Sequence, residues 1–236
     1  MERLAQSVGQ SKFSNCGRLI QWYRPMLSAR LLSVALSAFA SIAGANEVID
    51  PGQLREIRFE KIPPTTFQWK DSVLTMKVNQ SSGALVRPFD QIRSVRLIQV
   101  EWQTTFDAKG VTAKSEQKKN GDDFPLRIGL IVSGPKPWIP MFAAKWIKLL
   151  TEWMKFPSDR MIYAVLGSTQ PPGSTWTSPY SDSIENIALP SVEQSNGYLR
   201  STWDLKELKL VGYWIMSDGD DRKISFETNL RSLVLD

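Results

Sequence analysis

Two acidic clusters hold much of the polar chemistry this sequence offers. "GDD" (Gly121 to Asp123) opens an apolar run, "FPLRIGLIVSG", and "SDGDD" (Ser217 to Asp221) closes another, "LVGYWIM". The residue types around them narrow what they can do. The chain has no histidine, and its one cysteine is Cys16. Ser–His–Asp and Cys–His nucleophile arrangements are therefore excluded, as are the usual zinc sites. Carboxylates, lysine, arginine, tyrosine and hydroxyls remain. For metals, only hard cations bound by oxygen remain, chiefly calcium or magnesium. Three readings of the clusters stay open. Asn120-Gly121 and Gly219 are turn signals, and aspartates in turns accept hydrogen bonds from backbone N–H groups. Closely spaced carboxylates also suit a Ca²⁺ site, for which Asp218, Asp220 and Asp221 are the candidate ligands; an EF-hand loop with its terminal glutamate is missing. A pair of catalytic carboxylates, as in glycoside hydrolysis, is the third reading, and it depends on a separation that sequence does not show.

A second candidate is the loop "GSTQPPGSTWTSPYSDS" (Gly167 to Ser183). Its prolines stiffen it, and it carries two large rings, Trp176 and Tyr180. Binding sites combine apolar walls with a few polar groups. Trp176 and Tyr180 with Asp122, Asp123, Asp218 and Asp220 therefore form the candidate ligand-binding set. The alternative is that both rings plug one end of the core. Glu185, Asn186 and Arg87 are further candidates for the same rim.

The elements that must position these residues are mostly strands. About ten short runs rich in β-branched and aromatic residues alternate with turn residues, among them "TFQWK", "VLTMKVNQ", "RSVRLIQVEWQTTF", "MIYAVLG" and "LKLVGYWIM". That pattern predicts a mainly β fold, an antiparallel β-sandwich of jelly-roll type. One amphipathic helix is predicted over Pro140 to Phe156, with Phe142, Trp146, Leu149, Leu150 and Trp153 recurring at helical spacing. Its apolar stripe serves either as a core face or as a membrane- or partner-contacting surface. If "FPLRIGLIVSG" and "LKLVGYWIM" are antiparallel neighbours, the start of one lies beside the end of the other. Both acidic clusters then meet at one end of the fold.

The N-terminal region sets compartment and charge. Arg30, an apolar stretch from Leu31 to Ile42, and Ala43-Gly44-Ala45 follow the layout of a secretory signal with an A-x-A cleavage site. The signal proper is expected to span residues 26–45, within a leader of residues 1–45, followed by a single domain of residues 46–236. The alternative is an uncleaved anchor, although the apolar stretch is shorter than the roughly 20 residues of a bilayer-spanning helix. The leader holds five of the 29 basic residues and one of the 24 acidic ones. The rest is close to neutral, which predicts no general affinity for nucleic acid. Lys114, Lys118 and Lys119 fit a solvated loop. The expected mature chain has no transmembrane span, no cysteine and a periplasmic or secreted location.

The order of "GDDFPLRIGLIVSG", "MIYAVLGSTQPPGSTWTSPYSDSIENIAL", "YWIMSDGDD" and "ISFETNLRSLVL" resembles the bacterial family of unknown function DUF3047. The resemblance covers most of residues 55–235. It implies an exported single-domain protein and brings no reaction with it; Ala164 stands where an aromatic-rich strand is usual. The residues themselves favour an exported envelope protein whose β fold binds a carbohydrate or other envelope ligand without catalysis. The alternative is a glycan-acting hydrolase using Asp carboxylates.

Overall fold

Pairing partners, more than strand propensities, decide this architecture. The computed structural model describes residues 49–135 and 144–236. The proposed leader, Pro140 and Phe142 lie outside the described residues. One compact unit, Ile42–Asp236, contains all the described residues. Among the described residues, eleven strands run in chain order: β1 (Arg55–Ile57), β2 (Thr66–Lys70), β3 (Val73–Asn79), β4 (Ser82–Thr104), β5 (Leu126–Ser133), β6 (Ser158–Leu166), β7 (Thr175–Ser178), β8 (Ser181–Ala188), β9 (Val192–Glu193), β10 (Leu199–Asp218) and β11 (Ser225–Leu235). The same residues include two α-helices, α1 (Ala113–Glu116) and α2 (Lys145–Trp153).

The expected mainly β fold is what the structure has. The strands form one sheet, ordered β2, β3, β11, β4, β10, β5, β6, β8, β7, with β1 on β4 and β9 on β10. Two stacked sheets of jelly-roll type are not what the pairing shows. Two features depart from the sequence expectation. The separate runs "ALVRPF" and "RSVRLIQVEWQTTF" lie in one 23-residue strand, β4, and β10 is likewise continuous over 20 residues. The pairing of the two shifts register along the way, as between Leu210 and Gly212. The sheet is also mixed, because β6 and β8 pair in parallel.

Alternation of side chains along the strands splits the core across the two faces of this sheet. One face buries Leu74, Ile98, Trp102, Ile128, Leu166 and Leu230. Among the described residues no helical residue joins that cluster, which is built from the strands and from Ile49 and Leu189. The other face buries Phe124, Ile131, Tyr163, Trp176, Trp214 and Met216, and α2 packs there through Leu150. The helix is shorter than the periodicity predicts, ending at Trp153 ahead of Pro157. Trp146, Ile147 and Trp153 are partly buried against this second cluster. Among the described residues no helix is long and apolar enough to cross a membrane.

Candidate functional site

The two acidic clusters meet because β5 and β10 are antiparallel neighbours, with Met216 opposite Arg127 and Ile215 opposite Ile128. The segment before β5 and the turn after β10 then interlock through reciprocal bonds. The Phe124 N–H donates to Asp218 Oδ1 at 3.2 Å, and the Asp218 N–H donates back to the Phe124 carbonyl at 3.3 Å. The Ser217 hydroxyl donates to the Pro125 carbonyl at 2.8 Å. Asp123 binds the opposite turn, accepting from the Asp221 N–H at 3.1 Å and the Arg222 N–H at 2.6 Å. These aspartates do cap backbone donors, as a turn reading requires, but Asp123 and Asp218 cap donors in the other cluster.

At the centre is Arg127, a residue that sequence reasoning did not single out. Its guanidinium pairs with Asp122 at 2.9 Å and Asp218 at 3.1 Å, and all three side chains are buried. It also donates to the Asp122 carbonyl. Its faces meet aromatic rings, 4.6 Å from the Phe124 centroid and 5.6 Å from that of Tyr163. A signal for it was present: an arginine inside the apolar strand "LRIGLIV", buried on both faces, needs a paired carboxylate. Gly129 makes room beside it. A methyl group there would come within 2.9 Å of the Tyr163 ring and 3.0 Å of Trp214 Cβ.

Electrostatics follow from burial. Burial pushes the Asp122 carboxyl up to about 6; Arg127 opposes this, and Asp221 and Asp123 add to it. Asp218 is raised well above the ordinary carboxylate range by burial, again against Arg127. Burial also raises Asp123, against the N–H groups of Arg222 and Asp221, and it raises Asp220, helped by the charge of Asp221. Burial opposes the charge of Arg127, yet Asp122 and Asp218 outweigh it and hold the guanidinium protonated.

Over this floor opens a cavity of about 510 Å³. Phe59, Trp146 and Trp214 form its aromatic wall, with ring centroids 5.9 Å (Phe59–Trp146), 6.2 Å (Phe59–Trp214) and 5.7 Å (Trp146–Trp214) apart. Asp122, Asp218, Asp220 and Asp221 line the acidic side. Tyr180 stands exposed at the rim, donating its hydroxyl to Asp221 Oδ2 at 2.7 Å. The rings of the wall come from segments far apart in sequence, and no local pattern announces them.

The structure thus brings together Asp122, Asp123, Asp218, Asp220, Asp221 and Tyr180. Trp176 is separate, buried against Phe124 and lining a different depression with Glu185. It plugs the core, as the alternative reading of the loop has it. Asn186 is buried in β8, and Arg87 lies on β4 opposite Tyr213; neither lines the cavity. The metal-capable trio also differs from the one expected. Oxygens of Asp123, Asp218 and Asp220 lie within 4.8 Å of one another, while Asp221 faces Tyr180. Each oxygen of Asp123 and Asp218 already accepts a hydrogen bond, one of them from the Arg127 cation.

Comparison with known proteins finds one family for the chain. The model described as "Protein of unknown function (DUF3047)" matches residues 53–234. The chain belongs to the DUF3047 family. That match takes in both acidic segments, the aromatic wall and Tyr180 of this DUF3047 chain. No curated protein and no solved structure matches it.

Proposed function

We propose that the chain is an exported envelope protein, periplasmic or secreted, whose cavity binds a carbohydrate or another envelope ligand without turning it over. The observation that carries this reading is the cavity itself: aromatic rings on one wall and fixed carboxylates on the other, the usual division of labour in a small-molecule site. Rings offer flat apolar faces to a sugar, and carboxylates read its hydroxyls. The engagement of Asp123 and Asp218 with backbone N–H groups and Arg127 favours binding over catalysis. One observation supports the hydrolase alternative. A carboxyl raised to about 6, as Asp122 is, suits a general acid. A glycan array run beside a reducing-sugar assay separates the two. Capture of a glycan without release of reducing ends is the expected result. Release that Asp122→Asn abolishes would make the protein a hydrolase. Export rests on the signal layout before Asn46. Intact-mass measurement of protein from the cell envelope is expected to give a chain starting at Asn46; a species retaining residues 26–45 would mean an anchored protein.

A further inference from the structure

We infer that the ligand of this cavity carries a positive charge, and that an amino sugar with a free ammonium group, held between the Phe59–Trp146–Trp214 wall and Asp122, is the class it takes. The inference rests on the reading of the cavity as a ligand site and names the chemistry of that ligand.

Three observations converge on it. Among the described residues the cavity is lined by five carboxylates, Glu60, Asp122, Asp218, Asp220 and Asp221, against one arginine and one lysine, Arg127 and Lys145. A neutral or anionic ligand leaves that excess uncompensated, whereas a cation relieves it. Next, Asp122 is only 3% exposed, and its Oδ1 has no hydrogen-bond partner among the described residues. A buried carboxylate oxygen without a donor is costly, and a ligand ammonium would supply a charge-assisted donor. Finally, three rings grouped beside carboxylates form the kind of enclosure that attracts ammonium groups through the ring faces. The protein already uses this chemistry internally: Arg127 lies over two rings and between two aspartates.

The rings refine the class. A sugar lays an apolar face on aromatic rings, and an amino sugar carries that face and an ammonium on one ring, matching the wall and the carboxylates together.

The test is calorimetric titration of the purified protein with three probes: oligomers of glucosamine, oligomers of N-acetylglucosamine of the same length, and choline. Acetylation removes the charge and keeps the sugar; choline keeps a charge and drops the sugar ring. The glucosamine oligomer is expected to bind at least about tenfold tighter than its acetylated counterpart, the order of a single charge-assisted contact, and to weaken with added salt. Asp122→Asn risks misfolding because it takes a partner from Arg127. Asp220→Asn, a half-buried member of the same wall, is therefore the main variant, and it is expected to lose about tenfold in affinity without a fall in melting temperature. Equal or tighter binding of the acetylated oligomer would overturn the charge requirement and leave the glycan reading standing. Binding of choline with neither oligomer bound would keep the charge requirement and remove the sugar. No binding of any probe would overturn both.

Discussion

Arg127 shows why this site holds together and what it costs. A guanidinium and two carboxylates out of water gain their mutual attraction only after a desolvation penalty, and removing one partner leaves a buried charge uncompensated. The carboxyls feel that penalty as raised affinity for protons. Between the ordinary aspartate value and about 6, folded Asp122 binds more protons than the unfolded chain does, so its contribution to stability falls as pH rises through that window. Asp123, Asp218 and Asp220 shift in the same direction. The melting temperature is therefore expected to rise on acidification from pH 7 to about pH 5, and Asp122→Asn is expected to flatten the slope. A melting temperature that falls over this interval in the wild type would refute the account. Arg127 also bears on calcium. It occupies the place of a cation beside the Asp123, Asp218 and Asp220 trio, and the oxygens of the first two already carry hydrogen bonds. Chelator-stripped protein is expected to melt at the same temperature with and without millimolar Ca²⁺. An upward shift that Asp220→Asn removes would restore the calcium site that the sequence suggests.

At the scale of elements, the sequence was legible where side-chain period decided the outcome and illegible where a bend did. β2, β3 and β5 alternate or run apolar over short stretches, and they fall where the pattern puts them. β4 and β10 each read as two strands, with breaks at Asp90 to Ile92 and at Lys206-Glu207. Both breaks are register shifts within one continuous strand: Leu210 pairs with Arg93 and Gly212 with Pro88, and a methyl group at Gly212 would lie 2.6 Å from the Arg87 carbonyl. The meeting of the acidic clusters follows from ordinary antiparallel geometry once β5 and β10 are neighbours, a condition the sequence leaves open and the pairing meets. The aromatic wall could not be read, because Phe59, Trp146 and Trp214 converge only through tertiary packing. Helix α2 illustrates the consequence. Its stripe predicts Trp146 as a core residue whose removal costs about 3–5 kcal/mol, the range for a fully enclosed aromatic. In the structure Trp146 is partly buried and faces the cavity, edge-on to Phe59 and Trp214. Trp146→Ala is expected to cost less, about 1–2 kcal/mol by urea denaturation, and to weaken ligand capture. A loss in the larger range would return Trp146 to the core.

For the molecule as a whole, continuity of the sheet is the property with most consequence. A sandwich of two sheets can open one layer while the other persists, because only side-chain packing joins them. Here β4 and β10 run through both halves. The first half of β4 pairs with β1 and the end of β10, and its second half pairs with the start of β10 and with β11. The acidic site is tied to this spine, since Asp218 closes β10 and Arg127 lies one residue into β5, which pairs with β10. Opening either half of β4 therefore strains hydrogen bonds shared with the other. Native-state hydrogen exchange reads this directly, because amides that open in one cooperative unit share one opening free energy. Amides at Ala84 to Val86 and at Ile98 to Trp102 are expected to show equal protection, set by global unfolding, and to respond equally to denaturant. β2 and β7, which end the sheet and pair on one side only, are expected to exchange faster. If the two halves of β4 instead open with clearly different free energies, the molecule behaves as two layers, and the site at the β5–β10 end belongs to whichever layer contains it.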